Sequence, residues 1–511
     1  MKQEKRTLQN IGLVIGITLL TKILGIVREA LQANVFGTKL SFDLYSISYN
    51  HTIYIFTTVA YALCVAAVPI ISKQLAKDRE SAYRTAGNLI TICIVFSVLI
   101  TALLFIVVQL CPIDQWLGVD ASSLKTLQSY LKICLTTLPL IVLIYLLVAV
   151  FQSMEHYTLQ GSLSLPYNLL LIVFLLLFAD SESMGKYILV ICFAWLLQLG
   201  MTIPCAVQEK FRFYPSFDLK SEDVKTFFRT TVVTVFTTSI FLWCYLADSS
   251  TVTRFGEGAT SAVYYADKLF TPLATTLIYS ISVVLFPKYN QEYARATRRE
   301  YKQYVGQTLE NTLFVILPFS AMFCVFAAPI VHVLYESGNF STASTQMTSH
   351  VFAMYSIGMA GFCILDLVNK GYYTMQKTLA PLLINAVVLL LNLLLNALVR
   401  GRGSELSVAM MTAFALTAGG VIALIAFFRD DTRCIRYDRI LKNLAATIIM
   451  AAALYLCSGQ LYQPAQSKLL IMLIHCLLGL LGIVIYSGVC WLLGEREALG
   501  LIAKKLKTRD S

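Results

Sequence analysis

Apolar stretches of about twenty residues recur from one end of the chain to the other, separated by short polar segments. Each is long enough to cross the hydrocarbon core of a bilayer as a helix. The pattern predicts spans at 9–33, 43–71, 86–110, 126–152, 159–179, 187–207, 227–248, 261–287, 308–335, 346–369, 378–399, 405–428, 443–458 and 469–493. The expected fold class is therefore all-α integral membrane, with about fourteen transmembrane helices.

Composition agrees with this pattern. The 511 residues are 57% hydrophobic and only 14% charged, where a soluble protein carries about 25% charged residues. The net charge of +11 sits in short loops between apolar segments, so it reports topology and not nucleic-acid binding. With the N-terminus inside, one side of the membrane collects 29 basic residues, among them Lys73, Lys77, Arg79 and Arg84, Lys210 to Arg229, Lys288 to Lys302, and Arg429 to Lys442. The other side holds only 7, including Lys39, Lys125, Lys186 and Arg254. This asymmetry predicts that both termini lie in the cytoplasm. The basic start (Lys2, Lys5, Arg6) runs into the first apolar stretch without a small-residue cleavage signal, and reads as an uncleaved signal-anchor. The thirteen cysteines are scattered without a CxxC pair, so zinc or redox chemistry is not expected.

The chain also repeats itself. The segment 35–49, VFGTKLSFDLYSISY, follows the first span, and 254–268, RFGEGATSAVYYADK, follows the seventh. Phe36 and Phe255, Gly37 and Gly256, and Tyr45 and Tyr264 share one offset, and Pro69 and Pro287 are expected to end the helices that follow. The reading is two six-helix lobes around a central cavity, plus two C-terminal helices: an N-lobe over 1–207, a cytoplasmic linker over 208–226, a C-lobe over 227–428, and two helices with a basic cytoplasmic tail over 429–511. Parallel repeats of this kind are a transporter signature.

Ionisable residues inside a span are costly and normally face a cavity or a partner. The first span carries Lys22, Arg28 and Glu29, with Gly25 between them; Lys22 and Glu29 are seven residues apart and share a helix face, while Arg28 lies about 100° from Glu29. The second span opens with Asp43 and includes Asn50 and His51, the latter more in keeping with a structural role. The eighth carries Asp267 and Lys268, adjacent residues that point about 100° apart, with Lys268 expected to face the cavity. Asp366 and Lys370, four apart, can pair as a structural lock. Lys22, Arg28 and Lys268 form a cationic set suited to an anionic substrate, and diphosphate is the natural candidate.

At these residues the sequence resembles the MurJ/MviN family of lipid II flippases, within the multidrug/oligosaccharidyl-lipid/polysaccharide exporter superfamily. The stretches that carry it are TKILGIVREALQANVFGTKLSFDLY (21–45), GEGATSAVYYADKLFTPL (256–273) and VLYESGNFSTASTQMTSHVFAMYSIGM (333–359), continuing into VNKGYYTMQKTLAP (368–381). The resemblance implies fourteen helices in two lobes, with the last two shaping a groove for a lipid tail. It implies a multi-pass protein of the bacterial cytoplasmic (inner) membrane that flips an undecaprenyl-diphosphate-linked peptidoglycan precursor by alternating access. Its partners would be that lipid, membrane lipids and cell-wall synthesis proteins, with no nucleic acid.

The family's first-helix motif, basic-x-x-Gly-x-x-Arg-acid, falls on Lys22, Gly25, Arg28 and Glu29; its span-two acid falls on Asp43 and its span-eight basic residue on Lys268, next to the supporting Asp267. Two departures stand out. The family's further Arg in span two has no counterpart near Tyr54 to Phe56, and Lys replaces Arg at 22 and 268, giving a point charge in place of a bidentate fork. Some members hold sodium between spans seven, eleven and twelve. Asp248, Asn392, Asn396, Val408 and Thr412 match those positions, with Asn396 in place of an acid; the alternative is that these side chains simply bond helices together. Na⁺, proton or membrane-potential coupling are the options for energy, and no catalytic residue or other cofactor is expected. The competing functions are a flippase for another envelope glycolipid or polysaccharide precursor, and a polytopic glycosyltransferase. The latter would need an extramembrane catalytic loop or carboxylate cluster, which the basic loops 208–226 and 288–307 do not offer. No GxxxxGK[ST] phosphate loop exists for an ATP-driven pump.

Overall fold

The computed structural model describes residues 2–495, with side chains described from 16 onward apart from 157, 237–238, 279, 282–284 and 287. The basic tail from Arg496 lies outside the described residues. We number the helices α1 Lys2–Phe36, α2 Leu40–Leu75, α3 Arg79–Leu110, α4 Ala121–Ser153, α5 Thr158–Leu177, α6 Met184–Gln208, α7 Glu222–Thr238, α8 Ile240–Val252, α9 Ala259–Arg295, α10 Arg298–Val325, α11 Ala327–Tyr335, α12 Thr342–Thr374, α13 Leu379–Val399, α14 Glu405–Phe428, α15 Tyr437–Leu461 and α16 Lys468–Leu492. Among the described residues eleven of these are long and apolar enough to cross a membrane, or twelve if α7 and α8 form one broken span. The other two expected spans, 9–33 and 261–287, fall on α1 and α9, whose side chains are described only in part.

Several expected spans are interrupted, each for a local reason. The span at 126–152 breaks at Thr136–Thr137 because Pro139 cannot donate to the carbonyl of Leu135. The span at 308–335 breaks at Phe326, where Pro329 has the same effect on Val325. The second span contains a π-helical turn at Asn50–Tyr54. There Ser48 and Thr52 donate to the carbonyls of Leu44 and Ser48, and a ring nitrogen of His51 lies 2.9 Å from the carbonyl of Ile47. Such back-bonding competes with the regular ladder. One expectation is corrected: Pro69 does not end its helix but lies inside it, and the helix runs on to Leu75. Residue 287 likewise falls within the range of α9. A proline inside a membrane helix is tolerated where neighbours satisfy the freed backbone.

The chain divides into two compact units. The first comprises the residues up to Ser239 with Gly256–Ser261 and Ser337–Phe340; the second holds Ile240–Phe255, Ala262–Glu336 and everything from Ser341 onward, α15 and α16 included. In the first unit, α1 packs on α5, α5 on α6, and α2 on both α4 and α7. In the second, α12 and α14 make the most intimate pair. Their contact is a strip of small residues. A Cβ added at Gly361 would stand 2.5 Å from the Leu416 carbonyl oxygen, and Gly420 rests against Gly361 itself. Close backbone approach through small residues is how membrane helices gain packing where water offers no driving force. Helices α15 and α16 pack onto α10 through Phe314, Met450, Leu454 and Tyr486, and a buried ion cluster fastens them: Arg439 lies 3.2 Å from Glu310 and 2.9 Å from Glu495.

The repeated Phe-Gly motif is a helix stop. Gly37 and Gly256 adopt φ of +58° and +104°, a region that disfavours side chains. At Gly37 a side chain would also strike the carbonyl of Asn339, 2.2 Å away.

Candidate functional site

The first unit holds an open cavity of about 420 Å³ among α1, α2, α4, α5 and α6, within the range of about 300–1,000 Å³ typical of small-molecule sites. Lys22, Gly25 and Arg28 line it from α1. Their helix is held to α5 by the Asn168 amide, which donates to the Thr21 carbonyl at 3.2 Å, and by the Thr21 hydroxyl, which donates to the Gly161 carbonyl at 3.3 Å. A Cβ at Gly25 would come no nearer than 3.9 Å to Asn168, so the glycine leaves room along the wall between the two cations.

Arg28 is mostly buried. Its guanidinium lies 5.2 Å from the centre of the Tyr167 ring and contacts the carboxylate of Glu29 directly. Glu29 is 4% exposed, and its second carboxylate oxygen has no hydrogen-bond partner among the described residues. The structure thus pairs Arg28 with Glu29, although their Cα–Cβ bonds point about 100° apart; the long guanidinium arm closes the gap. Lys22 shares the cavity with Arg28, while Glu29 is packed away from it.

Asp43 is placed differently from the cavity residues. It is 5% exposed. One oxygen accepts from the Gly258 amide at 2.7 Å, and the other from the Ser261 amide at 2.8 Å and the Ser261 hydroxyl at 2.5 Å. It therefore satisfies the free amides at the start of α9, where a negative charge also suits the helix dipole. Glu257 returns the service by accepting from the Leu40 amide at the start of α2, at 2.8 Å.

In the second unit, Lys268 on α9 keeps 14% of its side chain exposed. Its ammonium lies 3.2 Å from Asp267 and 4.8 Å from the centre of the Tyr264 ring. Asp267 is fully buried and also accepts from the Thr271 hydroxyl at 2.6 Å. The two adjacent residues therefore pair although their Cα–Cβ bonds point about 100° apart, because the flexible lysine stem bends back to its neighbour. Asp366 and Lys370 pair at 2.8 Å, as their spacing predicts.

Asp248 on α8 is wholly buried within its unit. It accepts from Tyr355 at 2.8 Å, Asn396 at 2.8 Å, Thr412 at 2.6 Å and, more weakly, Asn392 at 3.4 Å. Val408 is buried one helical turn before Thr412. The five sequence-predicted residues therefore lie on three packed helices, α8, α13 and α14, four of them in one hydrogen-bonded cluster, and Tyr355 joins it from α12. The donor set is oxygen-rich with one carboxylate, and the Asn396 carbonyl oxygen is buried without a partner among the described residues. That orphan acceptor fits a small hard cation in kind. No group of three or more His, Cys, Asp or Glu side chains suited to a metal exists among the described residues.

Sequence reasoning missed other residues of the first unit's cavity, among them Gln160, Tyr167 and Asn168 on α5, and Trp195 and Gln198 on α6. The signal was present, since uncharged amides inside apolar spans at 159–179 and 187–207 are as anomalous as charges.

Among the described residues the long elements are helices, eleven of them apolar enough to span a membrane, with polar groups buried inside them, and this is the architecture of an integral-membrane protein. A solved structure described as the inward-closed conformation of the lipid II flippase MurJ superposes with a TM-score of 0.79 at 20% identity, covering 94% of this chain and 98% of that one. An inward-facing multidrug-resistance MATE transporter of the MOP superfamily gives a TM-score of 0.68 at 11% identity, covering 83% and 98%. The family model for "Lipid II flippase MurJ" matches residues 32–475. The lipid II flippase MurJ of Burkholderia cenocepacia is 21% identical over 95% of this chain and 97% of its own length. The chain belongs to the MurJ family of lipid II flippases.

Proposed function

We propose that this protein moves lipid II, a polyprenyl-diphosphate-linked sugar, from the inner to the outer leaflet of the cytoplasmic membrane by alternating access, without covalent chemistry. Family membership supports the substrate. The observation that carries the site is the cavity of the first unit, in which Lys22 and Arg28 face the same space on a helix inside an apolar protein. Both side chains present positive charge to this space, and diphosphate oxygens match that charge. In this reading Lys22 and Arg28 bind the diphosphate, Gly25 leaves room for it, and Glu29 holds Arg28 in place. Lys268, oriented by Asp267, supplies a second cationic point on the route of the same headgroup, and Asp43 fixes the start of the helix that bears Lys268.

Both termini are assigned to the cytoplasmic side from the loop charges. Cell-wall synthesis proteins are the natural neighbours of a protein delivering this precursor. For coupling, the Asp248 cluster would hold Na⁺ through Asp248, the Asn392 and Asn396 side-chain oxygens, Thr412 and the Val408 carbonyl. The ion would supply the positive charge that one buried carboxylate lacks.

A second reading, a flippase for a different envelope glycolipid, is favoured by the absence of an arginine at Tyr54–Phe56 and by Lys in place of Arg at 22 and 268. Expression in cells depleted of their own lipid II flippase separates the two. Rescue of growth and cell shape is the expected result; failure of a membrane-inserted protein to rescue favours the second reading.

A further inference from the structure

We infer that the segment joining α6 to α7, residues 209–221, is a membrane-interface anchor that takes the headgroups of anionic phospholipids, whatever ligand the cavity of the first unit binds.

The segment lies wholly within the first unit and runs without regular structure from Phe211 to Asp218. Its backbone is clamped to the start of α3. The Tyr83 hydroxyl donates to the Glu209 carbonyl at 2.7 Å. The Asn88 side chain donates to the Asp218 carbonyl at 3.1 Å and accepts from the Asp218 N–H at 2.8 Å. Between these points the Tyr214 carbonyl rests on Gly87, where a Cβ would stand 2.2 Å from its oxygen. Two aromatic side chains turn inward. Phe211 packs edge-on against Tyr83 and Phe151, and the Tyr214 ring lies under the Arg84 guanidinium, 5.2 Å from its centre.

The remaining large apolar side chains face out, although the backbone that bears them is fixed. Phe213 and Phe217 are 50% and 51% exposed, and Leu219 is exposed with them. They follow directly on an exposed row along α6 made by Leu189, Phe193, Leu196, Ile203 and Val207. The spacing of that row, in steps of three, four and seven, is one stripe of a helix apolar enough to span a membrane. Such a stripe faces lipid, and aromatic side chains held just past its end suit the boundary between acyl chains and headgroups. A partner dissolved in water would need no such continuity with a lipid-facing stripe.

Charge selects the lipid. Lys210, Arg212 and Lys220 are exposed among these apolar residues. The two acids of the same stretch already have partners: Glu209 pairs with Arg79 and His156, and a carboxylate oxygen of Asp218 accepts from the Lys220 amide at 2.9 Å. Long basic side chains lie along apolar surface and carry their charge to the headgroup phosphates. Each such charge near an anionic membrane surface contributes about fivefold in affinity.

The test is hydrogen exchange of the backbone amides of 209–221, followed by mass spectrometry on the purified full-length protein in neutral detergent. Phosphatidylglycerol, phosphatidylcholine and inorganic phosphate are titrated separately. Phosphatidylglycerol is expected to slow exchange of this segment at a lower concentration than phosphatidylcholine, and inorganic phosphate to have no effect. The triple variant Lys210→Gln/Arg212→Gln/Lys220→Gln should raise the phosphatidylglycerol required by about fivefold for each charge removed and leave the response to phosphatidylcholine unchanged. Phe213→Ser/Phe217→Ser should weaken the response to both lipids. Lys125→Gln, beyond the far end of α3, should alter neither. Equal responses of wild type to the two lipids, a triple variant that responds as wild type does, or a Lys125→Gln effect as large as that of the triple variant would overturn the inference. Inorganic phosphate as effective as phosphatidylglycerol would mark a free-anion site, and an unchanged lipid response in the aromatic variant would mark a protein-docking face; either result refutes the anchor. Should the aromatic variant melt far below wild type, the triple variant, whose three substitutions are all exposed, decides.

Discussion

Arg28 has two jobs in this account, and the structure allows them to be separated. Removing it as Arg28→Ala deletes a cation from the cavity. It also leaves Glu29 buried at 4% exposure with no cation beside it. Orphaning one partner of a buried pair costs about 3–5 kcal/mol, a large share of the stability of any domain. A loss of transport in Arg28→Ala therefore proves nothing by itself. The double variant Arg28→Met with Glu29→Gln removes both charges and keeps both volumes, which buried pairs tolerate with little net cost. Thermal unfolding in detergent should show Arg28→Ala well below wild type and the double variant restored to within a few degrees. Transport should not be restored. The lost charge-assisted bonds to a diphosphate are worth about 1.5–3 kcal/mol, so the well-folded double variant should translocate at least about tenfold more slowly. A double variant that is stable and flips at the wild-type rate would show that Arg28 exists only to neutralise Glu29, and the diphosphate reading would fall.

Other consequences follow from the packing and the polar clusters. Gly361→Val places a branched side chain against the Leu416 backbone, where even a Cβ has 2.5 Å, and should cost about 1–3 kcal/mol or more; Gly479→Ala, with nothing within 4 Å, should leave the unfolding temperature unchanged. If the Asp248 cluster binds sodium, NaCl should raise the melting temperature of wild type relative to KCl, and Asp248→Asn should abolish that difference; wild type indifferent to sodium would leave the cluster as interhelical hydrogen bonding. Glu209, just past α6, accepts from His156 at 2.8 Å and pairs with Arg79 at 3.0 Å, and these contacts hold its carboxyl below the usual value of 4.5. Its contribution to stability is complete above that value and fades as pH falls through the lower folded value, so acid unfolding of Glu209→Gln should be less steep there than that of wild type.

The long apolar periods, the repeated Phe-Gly stop and the costly charges of α1 and α9 were visible in the sequence because each depends on spacing alone. What depends on side-chain reach was not. A helical wheel separates Arg28 from Glu29 and Lys268 from Asp267 by about 100°, yet long, flexible arms bring each pair into contact. Asp43 has the sequence look of a pathway acid, but its oxygens are spent on the amides at Gly258 and Ser261, more than two hundred residues away. The Asp248 cluster was reachable only through resemblance to a family, since Asn392, Asn396 and Thr412 are unremarkable in isolation. The helix breaks near Pro139 and Pro329 were readable from the proline rule, and Pro69 shows its limit inside a packed membrane helix.

The most direct test of the central claim is translocation in liposomes that contain this protein alone and a fluorescent polyprenyl-diphosphate disaccharide. The fraction of probe in the inner leaflet is followed by its protection from a membrane-impermeant quencher. The account predicts that protein accelerates loss of protection far above protein-free liposomes, and that the stable Arg28→Met/Glu29→Gln variant does so at least about tenfold more slowly. Protection that decays no faster with wild-type protein than without it would contradict the account.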